Sequence, residues 1–257
     1  MVEKEKKPNV IITKYIPLLL NKYIEQSLEK VDLEPDKDHE QCYIIKKGSV
    51  LSRDTSGRTN TLFPGEPIGF AEALLSRPYE LRYFLKEDTE VYTFKSSDIR
   101  QSISGASSLT RGMIKYSLDR VFNTNKSKTY HLIDDGFLSK NTDGFPIKDY
   151  KDQDTVFMIN QKPKFFFYVE TGKVNLISKS NEIIASFSAG DSFGEMALFT
   201  GSVRSVTAKA EGNTVLQLVS ADFIKSYFEN EDIFIKFTLI CVLERLRAMN
   251  KLRNLIK

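Results

Sequence analysis

The spacing of apolar and polar positions changes along the chain. Phe165 to Ile177, Glu182 to Phe187, Ser205 to Ala210 and Thr214 to Val219 are short runs rich in β-branched and aromatic residues. They are punctuated by Thr171-Gly172, Ala189-Gly190 and Glu211-Gly212, so they predict short antiparallel strands in a closed or sandwiched β structure. Ser220-Ala221-Asp222 then opens a closing helical region, with a capping serine and an acidic first turn. From Ile233 to Lys257 there is neither proline nor glycine, and the period lengthens. Ile235, Leu239, Val242, Leu246 and Met249 recur at alternating spacings of four and three, with Ile256 one heptad further on. That pattern predicts one long helix with a coiled-coil-like seam.

The same pattern occurs twice. Tyr43-Ile44-Ile45-Lys46-Lys47-Gly48-Ser49-Val50 superposes on Phe167-Tyr168-Val169-Glu170-Thr171-Gly172-Lys173-Val174 at an offset of 124 (172 − 48). Ala73-Leu74 falls on Ala197-Leu198, Val91 on Val215 and Asp98 on Asp222 at the same offset, whereas Gly65 and Gly69 match Gly190 and Gly194 at 125. Sustained register with a one-residue slip predicts two tandem copies of one domain. In the first copy Ser96-Ser97-Asp98 opens the helical region, Gln101 to Phe122 continues it, and Asn123 to Lys128 is a polar linker. The expected domains are therefore 1–125 and 126–257, with the boundary near 124–130. The turn signal Thr142-Asp143-Gly144, followed by Pro146, is read as a loop inside the second copy.

Composition narrows the chemistry. At 257 residues, 41% hydrophobic and 28% charged, the chain reads as soluble and globular, and a net charge of +3 is too small to argue for nucleic acid or a membrane. No segment reaches the roughly 18 apolar residues of a spanning helix, and Met1 to Lys7 lacks the apolar core of a signal peptide, so a cytoplasmic location is expected. Cys42 and Cys241 lie in apolar surroundings without metal-ligand spacing, as buried thiols in a reducing compartment would. His39 and His131 belong to no ligand cluster, so no metal site is expected. A Ser/His/Asp set, a nucleophile elbow and a Walker-type loop are all missing, so neither a cofactor nor catalysis is expected.

Residues 190–210, Gly-Asp-Ser-Phe-Gly-Glu-Met-Ala-Leu-Phe-Thr-Gly-Ser-Val-Arg-Ser-Val-Thr-Ala-Lys-Ala, carry the strongest candidate site. Gly194 lets the backbone turn tightly before Glu195-Met196-Ala197-Leu198, a short helical turn whose free N–H groups favour an anion. Arg204 supplies a permanent charge and a two-pronged donor for phosphate oxygens, while an ionised Glu195 only accepts and so suits a sugar hydroxyl. Phe193-Gly194-Glu195-Met196-Ala197-Leu198 and Arg204-Ser205-Val206-Thr207-Ala208-Lys209-Ala210 resemble the phosphate-binding cassette of the cyclic nucleotide-binding domain family, with apolar departures at Val206 and Ala208.

The resemblance, to the family that includes the cAMP receptor protein and the regulatory subunits of protein kinase A, implies a mainly β fold: two tandem jelly-roll-like β-barrels, each followed by α-helices. It implies cAMP or cGMP as ligand, held by Gly194, Glu195, Met196, Ala197, Leu198, Arg204 and Ser205. In the family the helix after the barrel rearranges and can reach the base, which makes Arg245 and Arg247 candidate base contacts. The helix from Lys236 onward is basic, and its apolar stripe either packs on its own barrel or serves as a lid or dimer surface. In the first copy the family glutamate is replaced by Phe70 or displaced to Glu72. Subtracting 124 from 204 puts Glu80 where the arginine stands, with Arg77 and Arg82 nearby, so ordinary cyclic nucleotide binding is not expected there.

Many bacterial relatives end in a DNA-binding helix-turn-helix, and this sequence stops at Lys257. Relatives that regulate kinases carry an arginine-rich inhibitory segment, and Met1 to Leu33 has no such cluster. The expected protein is a cyclic nucleotide sensor that signals by helix movement to a protein effector or a homodimer partner. The alternative is an interaction scaffold that kept the barrels and lost the ligand.

Overall fold

The structure is a computed structural model that describes residues 10–20, 23–27, 40–86, 88–122, 145–199 and 201–254. The expected linker at 123–128, the 124–130 boundary and the turn at 142–144 lie outside the described residues. Two units divide the chain. The first takes the described residues within 1–106, 117–132 and 232–257, the second those within 107–116 and 133–231.

The first unit holds α1 (Val10–Thr13), α2 (Ile16–Leu19), β1 (Glu25–Ser27), β2 (Gln41–Lys47), β3 (Val50–Arg53), β4 (Thr59–Leu62), β5 (Pro67–Ile68), α3 (Phe70–Leu74), β6 (Arg82–Leu85), β7 (Glu90–Lys95) and α4 (Ser96–Ser104). Its strands form a four-stranded sheet, β1-β7-β2-β5, and a three-stranded sheet, β4-β3-β6. Tyr43, Ile45, Ile68 and Val91 from one sheet meet Val50, Leu62 and Tyr83 from the other in one buried cluster. In β6 the alternation is plain: Tyr83 is buried while Arg82 and Phe84 face solvent.

The helical run expected over Gln101 to Phe122 is broken. Helix α4 stops at Ser104, and α5 (Ser108–Phe122) starts after Gly105-Ala106-Ser107. The Gly105 N–H closes the last turn on the Ser102 carbonyl at 3.1 Å, and the Ser107 hydroxyl accepts from the Thr110 N–H at 3.2 Å, so one helix is terminated and the next capped within three residues. Residues of α5 up to Tyr116 fall in the second unit and those from Ser117 in the first.

The second unit continues with β8 (Ile147–Tyr150), β9 (Thr155–Phe157), β10 (Phe165–Ile177), β11 (Ile183–Ser188), β12 (Ser192–Phe193), α6 (Glu195–Phe199), β13 (Thr207–Ser220) and α7 (Ala221–Glu229). Its sheet runs β11-β10-β13-β8, with β12 on β10 and β9 on β13. β10 has the expected extent, whereas Ser205–Ala210 and Thr214–Val219 merge into the single strand β13. Register shifts on either side of Thr171 bend the β10–β13 ladder. Gly172 permits this bend with φ +81°, where a Cβ would lie 2.4 Å from the Asn213 carbonyl oxygen. Phe167, Val169 and Leu216 from one arm and Val174, Leu176, Phe187, Ala208 and Ala210 from the other enclose one core. Ser220 caps α7 as expected, accepting from the Phe223 N–H at 3.1 Å. Ser96 is the first residue of its helix and not its cap: the N-cap residue there is Lys95, whose side chain makes no capping bond.

The closing helix α8 (Ile233–Asn254) belongs to the first unit. It packs there on α1, α2, α3, α4, β4 and β5. The seam residues Ile235, Leu239, Val242 and Leu246 are buried, but so are Phe234, Phe237, Ile240, Cys241 and Leu243. The helix is thus enclosed on more than the one face its heptads suggest. Helix and strand content are about equal and the described sheets are open, where a mainly β chain of closed barrels was expected. The two long helices α5 and α8 make the difference in helix content.

Candidate functional site

The described residues of the stretch singled out from the sequence lie in the second unit. β12 pairs with β10 through Phe193 opposite Phe167, and the chain then turns at Gly194 with φ +93°. A Cβ at Gly194 would lie 3.0 Å from Arg204 Nη1 and 3.3 Å from Phe167 Cδ2, so glycine is required by conformation and by space. Helix α6 follows at once. Glu195, 4% exposed, begins it, Ala197 is buried, and Met196 and Leu198 are partly buried. Tyr116, from the part of α5 in this unit, donates its hydroxyl to the Gly190 carbonyl at 3.3 Å and so braces the start of the stretch. The sequence offered no signal for that contact, because it depends on how α5 packs.

Arg204 is 4% exposed. Its Nη1 donates to the Gly194 carbonyl and its Nη2 to the Phe165 carbonyl, both at 2.6 Å, and the guanidinium carbon lies 4.1 Å from the centre of the Phe157 ring. Its backbone is fixed as well: its N–H donates to the Gln161 carbonyl at 2.9 Å and its carbonyl accepts from Asn160 at 2.8 Å. Nε is buried without a partner among the described residues. Burial pulls the Arg204 pKa down to about 10, and the Glu195 carboxylate acts through space in the opposite direction. The hydrogen bonds of Arg204 therefore go to backbone carbonyls. A guanidinium desolvated this far, with no carboxylate bonded to it among the described residues, is a place where an anion gains energy. Ser205, next in sequence, is exposed.

The two candidate base contacts lie elsewhere, on α8 in the first unit. Arg245 donates to Glu72 Oε1 from Nη2 at 2.8 Å and from Nε at 3.3 Å, with the two side chains 3% and 0% exposed. Arg247 donates to Glu244 at 3.1 Å. The structure thus gives Arg245 a partner within the first unit, where α8 packs on α3.

The first unit repeats the turn with different side chains. Gly69, φ +83°, precedes α3, and a Cβ on it would lie 2.6 Å from Cε1 of Tyr79. Tyr79 stands against Gly69 as Arg204 stands against Gly194, and the same spacing separates both pairs of residues. Its hydroxyl donates to the Gln41 carbonyl at 3.1 Å. The residue in the arginine's place is therefore Tyr79, and the expectation for Glu80 is corrected by one position. The offset of 125 seen at Gly65 and Gly69 also relates Tyr79 to Arg204, although Ala73-Leu74 between them matches Ala197-Leu198 at 124. Glu80 pairs with Arg77 at 3.0 Å with both a third exposed, Arg82 faces solvent, and Phe70 is buried where Glu195 stands in the second unit.

Among the described residues no group of three or more His, Cys, Asp or Glu could hold a metal ion, and no helix is long and apolar enough to cross a membrane.

Residues 147–231 match the family model for "Cyclic nucleotide-binding domain". The last matched residue, Glu231, is also the last residue of the second unit. Solved structures similar to the chain include cAMP-bound PfPKA-R, at 17% identity over 88% of this chain and 86% of that one, TM-score 0.37. The regulatory subunit of a cAMP-independent protein kinase A from Trypanosoma brucei is similar at 13% identity over 88% and 86%, TM-score 0.35. The EAL enzyme Bd1971 in its cAMP-bound form matches at 24% identity over 41% of this chain, TM-score 0.39, and the match spans only 29% of the enzyme's length.

Proposed function

We propose that the second unit binds a cyclic nucleotide, cAMP or cGMP, and that the chain is a cyclic nucleotide-sensing regulator. The observation that carries this reading is Arg204: a buried guanidinium fixed beside Gly194 and Glu195, with no carboxylate bonded to it among the described residues, inside a segment that matches the family model. Two of its five N–H groups point at carbonyls, which leaves donors for a cyclic phosphate. The N–H groups at the start of α6 add to the phosphate cradle, with Gly194, Met196, Ala197 and Leu198 shaping it and Ser205 beside it. Glu195 accepts the ribose hydroxyl.

The chain is organised as two tandem copies, 1–125 and 126–257, of which the first does not take a nucleotide. Matching positive-φ glycines support the repeat: Gly48 with Gly172, Gly65 with Gly190, Gly69 with Gly194. So does the equivalent pairing of β5 on β2 and β12 on β10. The output is a protein partner reached through movement of helices after the sensing unit. A scaffold without ligand is the second reading. It is favoured by one observation, that two backbone carbonyls hold Arg204 at 2.6 Å.

Displacement of fluorescent cAMP and cGMP analogues separates the two readings. Arg204→Ala is expected to weaken binding about a hundredfold and Glu195→Ala about tenfold, the scale of charge-assisted bonds inside a protein. Equal affinity in wild type and Arg204→Ala sinks the sensor assignment.

A further inference from the structure

The two turns carry opposite chemistry at matching places. In the second unit the cation is Arg204 and the third residue of α6 is Ala197. In the first, an uncharged Tyr79 stands in the cation's place, and the third residue of α3 is Glu72, a wholly buried carboxylate. Such a turn repels a phosphate and needs a cation, since a buried unpaired carboxylate is costly. The cation present is Arg245 of α8, bonded to Glu72 through two nitrogens. Burial alone would lower the Arg245 pKa, but Glu72, with Tyr83 and Glu80 adding to it, more than offsets that and holds the guanidinium charged.

The other altered positions meet the same helix. Phe70, in the place of Glu195, lies edge-on to Phe237 with ring centres 5.5 Å apart. Tyr79 shares its buried cluster with Leu252, and Met249 packs against that cluster. Each of the three side chains that distinguishes this turn from the second unit's is therefore answered by a residue of α8.

We infer that the first unit's turn has become a helix-binding site whose ligand is the chain's own C-terminal helix, with Glu72 recognising the Arg245 guanidinium and Phe70 recognising Phe237. The site is filled in cis, by a segment of the same chain. The inference goes beyond the proposed sensing function and holds whether or not the second unit binds a ligand.

Hydrogen exchange read by mass spectrometry on the full chain tests it. Glu72→Gln or Arg245→Gln leaves the opposite charge buried and unpaired, whereas the double variant Glu72→Gln/Arg245→Gln leaves two neutral groups able to bond each other. Each single variant should speed exchange in α8, β2 and β7 at least about tenfold, with β10 and β13 unchanged, and the double variant should exchange more slowly than either single. Effects that simply add, or α8 protection unchanged in both singles, overturn the inference. If the glutamine variants do not fold, Arg245→Lys decides, because it keeps the charge and loses the fork. Faster exchange confined to the first unit supports the site, and no change overturns it. Cyclic nucleotide titration of the same samples reports separately on the sensing function, so failure of one claim leaves the other legible.

Discussion

Arg204 Nη1 lies 2.6 Å from the carbonyl oxygen of Gly194, the residue that precedes Glu195. One glycine therefore fixes both ends of the proposed ligand contact. Its carbonyl anchors the cation, and its positive φ turns the chain so that the carboxylate starts α6. Without a side chain on Gly194 the guanidinium can approach this closely.

Gly194→Ala should thus damage fold and binding together. An L-residue at this φ costs about 1–3 kcal/mol, and the added methyl group pushes on a guanidinium that is already packed. Thermal unfolding should shift down and nucleotide affinity should fall. An alanine variant with unchanged melting temperature and affinity would show that the close approach is not required.

Phe157→Leu tests how Arg204 is held. The ring under the guanidinium is worth about 0.5–2 kcal/mol in a desolvated setting, and leucine keeps most of the volume. Affinity is expected to fall by about three- to tenfold, and the loss should vanish in an Arg204→Ala background if the ring acts through the arginine. An equal loss in both backgrounds would assign Phe157 to packing alone.

The pH dependence follows from the Arg204 pKa of about 10, which burial sets below its ordinary value. Below that pH the group is charged and available to a phosphate. Affinity attributable to Arg204 should therefore stay flat between about pH 7 and pH 9 and decline only as the pH rises through about 10. For stability the sign is opposite. A cation with a lowered folded pKa opposes folding at neutral pH, and this opposition is relieved only above about pH 10. Calorimetric titrations across that range check the first expectation, and a decline starting near neutrality would point to another group.

The two cysteines report on the packing of α8. Burial pushes the Cys42 thiol up to about 12, and Cys241, on α8, is raised as well. Both are buried and free. At about pH 8 the thiolate fraction of Cys42 is on the order of one in ten thousand, so iodoacetamide should leave both thiols unlabelled in the folded chain and label both after denaturation. Cys241 labelled at the rate of a free thiol in the native protein would mean that α8 is not packed as described.

Much of this was legible in the sequence because it is local. The glycine turns, the extent of β10 and the Ser220 cap all depend on residues close together in the chain. What was not legible depends on long-range choice. The seam from Ile235 to Met249 shows that one face of α8 is apolar, but it does not show which surface the face covers, so the pairing of Arg245 with Glu72 was not legible. The identity of Tyr79 as the counterpart of Arg204 turned on a single-residue slip, which the contact with Gly69 resolves and an offset of 124 does not. The break between α4 and α5 was missed because its cap, Ser107 on Thr110, is short and polar within an otherwise helical pattern.

The central claim is that one unit, through Arg204, takes one cyclic nucleotide. Isothermal titration of the full chain with cAMP and with cGMP measures it most directly. The account predicts one site per chain for at least one of the two ligands, lost or severely weakened in Arg204→Ala. Two sites per chain, no site for either ligand, or full binding by the variant would contradict it.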